Sequence, residues 1–326
     1  QLKGDGEAHP LLSPEDEFAD FETWDYGNLD ATIRKTPDML PGEYARSGLL
    51  RGMELGAELG VYPFKFGATG GSDTHVGMTT VQEDNFFSKF TAYEPSPDRA
   101  SHVGRTYPNG EVAFESWIYS AAGLTAVWAP QYTRGALFDA MERRETYATT
   151  GPRMTVRFFG GNYAADLLER RNLAQVGYAG GVPMGGDLAA PTEGAQDFLV
   201  YALRDPVGAN LDRVQIVKGW IDADTGDAME KVYDVAWGGD RAPDGNGKLP
   251  PVGNTVNLSI PSWTNDIGAP ELGALWTDPD FDPTEAAFYY ARVIEIPTPR
   301  WTAYDAVKFN VEMAAAVKMI TQDRAY

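Results

Sequence analysis

The residues with chemistry to offer sit in two short islands. In the first, an apolar run over 61–66 leads through Gly67, Gly70 and Gly71 into Ser72-Asp73-Thr74-His75. A strand that continues through this stretch places Asp73 and His75 on one face, because strand side chains repeat every two residues. A carboxylate oxygen and an imidazole nitrogen converging from one strand end are suited to a divalent metal. The glycines let the backbone turn and leave room for a ligand. Glu7 and His9 repeat the acid-x-histidine spacing after Gly4 and Gly6, so two of the three histidines sit in this pattern. The plainer alternatives are a loop aspartate with a nearby surface histidine, and a solvated turn before Pro10. His102, in a polar loop after Pro97, reads as a surface residue.

With 326 residues the chain has enough length for two domains. Its content of 43% hydrophobic and 12% aromatic residues indicates a packed globular protein rather than a disordered one. A formal charge of −20 repels nucleic acid and anionic membranes and fits a salty or extracytoplasmic setting. The absence of cysteine excludes disulfides, thiolate metal sites and cysteine nucleophiles. No apolar run reaches the roughly 18 residues of a membrane span, and no signal peptide is visible. The chain starts at Gln1 rather than Met, so the expectation is that an N-terminal part is missing. A periplasmic or secreted location is favoured over a cytoplasmic one.

The elements that must position these residues read as follows. Residues 1–10 read as a strand end. Residues 11–41 form a long acidic loop pinned by Phe18, Phe21 and Trp24. A helix over 42–60 carries the apolar stripe Tyr44, Leu49, Met53 and Leu59 and stops at Gly60. The strand over 61–66 then delivers Asp73 and His75. Strand, helix, strand with a site at the second strand's end is the logic of a parallel β/α barrel or doubly wound sheet. Thr133 caps a short helix whose face is Leu137, Phe138 and Met141, and a strand follows it from Thr146. From 154 onward, strands over 154–159, 198–204, 214–221, 231–237 and 287–296 without intervening helices predict an antiparallel sheet or sandwich. A helix is expected over 304–319. The glycine pairs Gly160-Gly161, Gly180-Gly181 and Gly185-Gly186 match no phosphate loop and read as tight β turns. The loop Asp222–Asp227 lacks the later glutamate of a calcium loop and reads as a hairpin turn. The domain boundary falls near Gly151-Pro152, giving 1–151 and 152–326.

Several stretches carry a family resemblance. They are Lys3-Gly4-Asp5-Gly6-Glu7-Ala8-His9-Pro10, Asp16-Glu17-Phe18-Ala19, Gly71-Ser72-Asp73-Thr74-His75 and the run from Arg143 through Thr146-Tyr147-Ala148-Thr149-Thr150-Gly151-Pro152-Arg153. Gly181-Val182-Pro183-Met184-Gly185-Gly186-Asp187-Leu188 and Lys231-Val232-Tyr233-Asp234-Val235-Ala236-Trp237 complete the set. Together they resemble a bacterial domain-of-unknown-function family, number 3604, which is similar to the polymerase-and-histidinol-phosphatase (PHP) metallohydrolases. The resemblance implies an α/β fold in two parts: 1–151 as the C-terminal part of a distorted PHP-type β/α barrel, and 152–326 as a β-rich, sandwich-like domain. Ser72-Asp73-Thr74-His75 matches the last PHP metal motif, while the opening His-x-His motif is absent, as from a chain lacking the first half of its barrel.

The expected function is therefore a metal-dependent hydrolase acting on a phosphoester or a related ester or amide bond. Asp73 and His75 hold a divalent zinc, manganese or iron, with Glu7 and His9 contributing directly or through other ligands. The ion lowers the pKa of a bound water and polarises the scissile group. Arg144 and Arg153 are candidates for an anionic or ester substrate, since guanidinium forks suit phosphate, sulfate and carboxylate. Arg143 and Arg144 also fit a helix C-terminus, where cations offset the macrodipole. No catalytic group is assigned, and a homo-oligomer is left open. The rival is a non-catalytic binding or scaffold protein that works through its β-rich half.

Overall fold

The computed structural model describes residues 6–77, 80, 82–87, 94–120, 123–170, 172–245 and 247–326. The start of the first motif, Lys3-Gly4-Asp5, lies outside the described residues.

The first α-helix is α1, Ala45–Leu59, which follows a short 3-10 helix over Pro37–Gly42. Its leading amides are capped from elsewhere in the chain: Ala45 N–H donates to Gly6 O at 2.8 Å and Arg46 N–H to Glu7 O at 3.0 Å. These are two of the four orphan donors of a helix start, so the segment holding Glu7 is fastened to α1. Gly60, at φ 74°, ends the helix with its N–H on Gly56 O, the left-handed glycine stop that the sequence indicates.

The strand expected over 61–66 does not form. These six residues are exposed and make no ladder. Instead Tyr62, Phe64 and Phe66 lie over Gly56, Gly52 and Gly48, which repeat every fourth residue along α1. A Cβ at Gly52 would lie 2.7 Å from Phe64 Cβ, and one at Gly56 would lie 2.2 Å from Tyr62 Cδ1. Each interior glycine costs a helix about 1 kcal/mol against alanine, and here the close approach of the rings requires it. Gly52→Ala is expected to lower the melting temperature, because overpacking costs about 1–3 kcal/mol and Phe64 Cβ has no freedom to swing aside. A midpoint equal to or above wild type in thermal unfolding would show that the rings do not need the notch.

The remaining elements are β1 Val103–Thr106, β2 Val112–Glu115, β3 Leu124–Val127, α2 Arg134–Glu142, β4 Thr146–Thr149, β5 Thr155–Gly161, α3 Leu173–Gly180, β6 Gly181–Pro183, β7 Asp197–Leu203, β8 Leu211–Ile221, β9 Ala228–Trp237, β10 Glu271–Thr277, β11 Ala287–Glu295, β12 Thr298–Pro299, α4 Trp301–Phe309, β13 Ile320–Thr321 and β14 Arg324–Ala325. A six-stranded sheet runs β3-β4-β14-β11-β8-β9 and a four-stranded sheet runs β10-β7-β5-β6. All of their pairings are antiparallel. The chain is thus a strand-rich α/β protein, and no β/α barrel closes among the described residues.

The two sheets share one core. Val156, Phe158, Val200 and Leu272 from the smaller sheet meet Val214, Ile216, Ala291 and Val293 from the larger. Burying such a side chain contributes about 1.5–3 kcal/mol, and period-two alternation sends the intervening residues of β8 and β11 to the other face. That outer face carries Arg213, Gln215, Tyr290 and Arg292, and it is covered by α1 and the residues before it. The molecule therefore has an apolar layer between its sheets and an ionic layer beneath its N-terminal segment. The six-stranded sheet takes β3 and β4 from before residue 151 and the rest from after it.

Several local expectations differ. Gly160 and Gly161 lie within β5 and Gly181 begins β6, rather than forming turns. The backbones approach so closely there that a Cβ on Gly161 would sit 2.7 Å from Gly181 Cα. The last helix is α4 and stops at Asn310, which adopts left-handed φ 52°, instead of running on to 319. α2 begins where expected, with Thr133 Oγ1 accepting Ala136 N–H at 3.3 Å. Its Phe138 and Met141, however, are 63% and 52% exposed, so this apolar face is not packed. The Asp222 loop is the β8–β9 hairpin turn, its carboxylate accepting the amides of Asp224 and Thr225. Among the described residues no helix is long and apolar enough to cross a membrane.

Candidate functional site

Glu7 sits in the ionic layer, 4% exposed. Its Oε1 accepts from Arg46 Nη2 and the Tyr290 hydroxyl, and its Oε2 pairs with Arg292 Nη1 at 2.9 Å. Asp16 takes the other side of the same guanidiniums, with Arg292 Nη2 at 2.6 Å and Arg46 Nη2 at 2.8 Å. Burial alone would raise the Glu7 pKa, but Arg292 and Arg46, aided by the Tyr290 hydrogen bond, outweigh it and hold the carboxyl down to about 2. Asp16 is lowered too, burial again being overcome by Arg292 and Arg46. The Arg292 fork is filled, since its Nε donates to Gln215 Oε1 at 2.9 Å.

His9 is 4% exposed and packs its ring against Tyr44 at 5.2 Å. Its Nδ1 accepts Leu11 N–H at 3.1 Å, which leaves the proton on Nε2, facing Asp25 Oδ1 at 2.9 Å. Both ring nitrogens therefore have work within the fold, and a metal would displace one of these partners.

Asp73 and His75 lie on an exposed loop. Ser72 Oγ is 3.2 Å from Thr74 Oγ1, and Asp73 has a left-handed φ of 48°. An aspartate in that region is uncommon and worth a functional hypothesis. The loop is reached through residues 65–71, which run beside β3 and β4. Arg144 Nη1 donates to Lys65 O at 3.0 Å, Thr146 Oγ1 to Ala68 O at 2.9 Å and Thr125 Oγ1 to Gly70 O at 2.6 Å.

Residues 65–69 form one wall of a cleft of about 920 Å³. Glu7, Tyr62, Phe64, Arg144, Met184 and Leu188 also line it. Arg144 follows α2 in a left-handed conformation, φ 61°, a place where helices usually carry glycine. Its N–H reaches Met141 O, and the Glu145 N–H reaches Ala140 O. Arg153 is placed differently. Its side chain is exposed, and its backbone N–H donates to Asp205 Oδ2 at 2.7 Å, which pins the crossing from β4 to β5.

The structure thus brings Glu7, Arg144 and residues 65–69 to one cleft, while His9, Asp73, His75 and Arg153 are not among the residues that line it. Among the described residues, no group of three or more histidine, cysteine, aspartate or glutamate side chains is placed to hold a metal ion. A resident catalytic ion takes three protein ligands and a structural one four. Asp73 and His75 make two, and the donor atoms of Glu7 and His9 are engaged by Arg46, Arg292, Tyr290, Asp25 and Leu11. A complete centre does not fit the residues described.

The groups that sequence reasoning missed are Arg46, Arg292 and Tyr290, the partners of Glu7. One signal was present: Arg292 interrupts the apolar run Ala291-Arg292-Val293-Ile294, and a charge inside a buried strand must be paired.

A two-sheet antiparallel sandwich with an ionic N-terminal layer and a large lateral cleft defines the class. The chain belongs to the family described as a protein of unknown function, DUF3604, whose model matches residues 1–326. No curated protein and no solved structure matches the chain.

Proposed function

We propose that this chain carries one side of a metal-dependent hydrolase site that acts on an anionic ester. Asp73 and His75 supply two ligands to a divalent ion, and the remaining ligands come from beyond the described residues, in the manner of the PHP enzymes that the Ser72-Asp73-Thr74-His75 motif resembles. The barrel to which such a motif belongs is part of the same proposal. The observation that carries it is continuity: residues 65–69 wall the cleft, and the same segment runs on into the exposed Asp73–His75 loop. Substrate would lie in the cleft, with its anionic group toward Arg144, and Glu7 serves to hold the cleft floor to the sheet through Arg292.

Elemental analysis and titration calorimetry with zinc and manganese test this reading. About one equivalent of metal, lost in His75→Ala and retained in Glu7→Gln, is the expected result. Absence of stoichiometric metal, or binding indifferent to His75→Ala, would refute it. That outcome would favour the second reading, ligand binding without turnover, which the engagement of Glu7 and His9 inside the fold supports.

A further inference from the structure

We propose that the cleft is a binding site for a small aryl anion, a flat apolar body bearing one sulfonate, phosphate or carboxylate group. The cleft is the one that the hydrolase reading gives to the substrate, and in that sense the inference rests on it; the binding itself needs neither metal nor turnover. The volume of about 920 Å³ suits a drug-sized ligand. The wall formed by Tyr62, Phe64, Phe66, Met184 and Leu188 offers rings and a thioether to a flat apolar body. Tyr62 and Phe64 seat in the glycine notches of α1 at Gly56 and Gly52, and Phe66 lies against Gly48 in ordinary contact, so the surface is built on the helix rather than on a free loop.

The charge requirement comes from Arg144. The chain holds 47 acidic against 27 basic residues, and five of its six buried guanidiniums are matched to carboxylates: Arg46 and Arg292 to Glu7 and Asp16, Arg99 to Asp305, Arg213 to Asp212 and Arg300 to Glu22, while the sixth, Arg324, is spent on the backbone carbonyls of Phe18 and Gln322. Arg144 pairs with no carboxylate among the described residues. Its Nη1 holds Lys65 O, and its buried Nε has no hydrogen-bond partner. In so acidic a protein, an arginine left without an acid at the edge of an aromatic cleft is a site for an incoming anion. The acids nearby do not fill that role. Of the acids that line the cleft, Glu7 is neutralised by Arg292 and Arg46, Glu43 faces Lys35, and Asp187 is held by Lys65 at 2.9 Å, while Asp282 accepts the N–H and hydroxyl of Thr284 with Glu285 beside it. The backbone also fixes the group: Gly185, at φ 82°, seats against the Arg144 carbonyl so closely that a Cβ there would lie 2.2 Å from the oxygen.

The probe is 8-anilinonaphthalene-1-sulfonate, with neutral N-phenyl-1-naphthylamine as its uncharged counterpart, both titrated by fluorescence in the presence of a chelator. Wild type should bind the sulfonate at one saturable site per chain, at least tenfold tighter than the neutral amine. Arg144→Gln should erase that difference, Arg144→Lys should keep it within about threefold, and Phe66→Ala should weaken both probes together. Circular dichroism and thermal midpoints establish that each variant is folded, and Arg144→Met, which keeps the apolar stem and removes the charge, replaces Arg144→Gln should that variant not fold. No saturable binding, equal affinity for the two probes, or full sulfonate affinity in folded Arg144→Gln would overturn the inference. Because metal is absent, such a failure leaves the Asp73–His75 test standing, and loss of that reading leaves this binding intact.

Discussion

Arg292→Ala is expected to destabilise the protein by about 3–5 kcal/mol, because removing one partner of a buried pair strands the others as uncompensated charges. Arg292 is 0% exposed and serves Glu7, Asp16 and Gln215 at once. Without it, Arg46 alone faces two carboxylates, and burial is then free to raise the Glu7 pKa from its present value near 2. The residues before α1 should loosen first, since Glu7 and Asp16 are their main attachment to β11. Denaturant unfolding gives the magnitude, and amide exchange in 6–20 gives the location. The combination Arg292→Met and Glu7→Gln, which leaves Arg46 paired with Asp16, should recover much of the loss, because no uncompensated charge then remains in the layer. A loss below about 1 kcal/mol for Arg292→Ala would mean that water reaches this layer and that the ionic bond between segment and sheet is weak.

The same cluster explains where sequence reading succeeds and where it stops. Local signals are dependable: Gly60 ends α1, Thr133 caps α2, and the β-branched run after Arg144 becomes β4. The antiparallel strands of the second half follow from apolar stretches cut by Gly, Pro and Asp turns. Partners far apart in sequence do not announce themselves. Glu7 and His9 carry the spacing of a ligand pair, yet Glu7 meets its cations 39 and 285 residues further along the chain. An acid that will be buried needs a cation, and the acid's own neighbours do not say whether that cation is a metal or an arginine. Residues 61–66 fail for a related reason. Their alternation has the period of a strand, but the partner is the glycine face of α1 rather than another strand. The helical stripe shifts accordingly, with Leu59 63% exposed while Arg46, Gly52 and Gly56 are buried. Asp73 and His75 are legible as a motif. Whatever else they meet lies beyond what periodicity encodes.

The stability of this protein is expected to peak near pH 4–5 and to fall by several kcal/mol toward pH 8.5, the reverse of the usual carboxylate trend. The cause is a second group of acids at the β11–α4 end, Glu295 and Asp323 buried and Glu83 half-buried. Glu83, whose Oε2 accepts Trp301 N–H, is pushed up to about 8 by burial and then by Asp323, against the opposing Arg300. Asp323 is raised to about 6, burial leading and Glu22 adding, against a 2.7 Å hydrogen bond from Thr150 Oγ1 and the charges of Arg324 and Arg300. Glu295 is 1% exposed with an Oε1 that has no partner, and burial, Asp323 and Asp205 raise it well above the usual range despite Arg204. Each group has a folded pKa above its unfolded value of 4.5 or 3.8. The folded state therefore holds more protons in between, and stability falls as pH rises through that window. It is fully present below about pH 4 and is lost through pH 6 and then 8, each group contributing about 1.4 kcal/mol for every pH unit that separates its folded from its unfolded pKa. Glu7 and Asp16 act in the opposite sense. Their folded values are depressed, so their contribution is present above pH 4.5 and is lost as pH falls toward 2. The two clusters set the two limbs, and denaturant midpoints from pH 2.5 to 9 trace them. Glu295→Gln should flatten the alkaline limb and raise the midpoint at pH 8, because the amide needs no proton to stay neutral beside Asp323 and Asp205. Midpoints that stay level or climb between pH 5 and 8.5 would show these carboxyls to be ionised and hydrated in the native state.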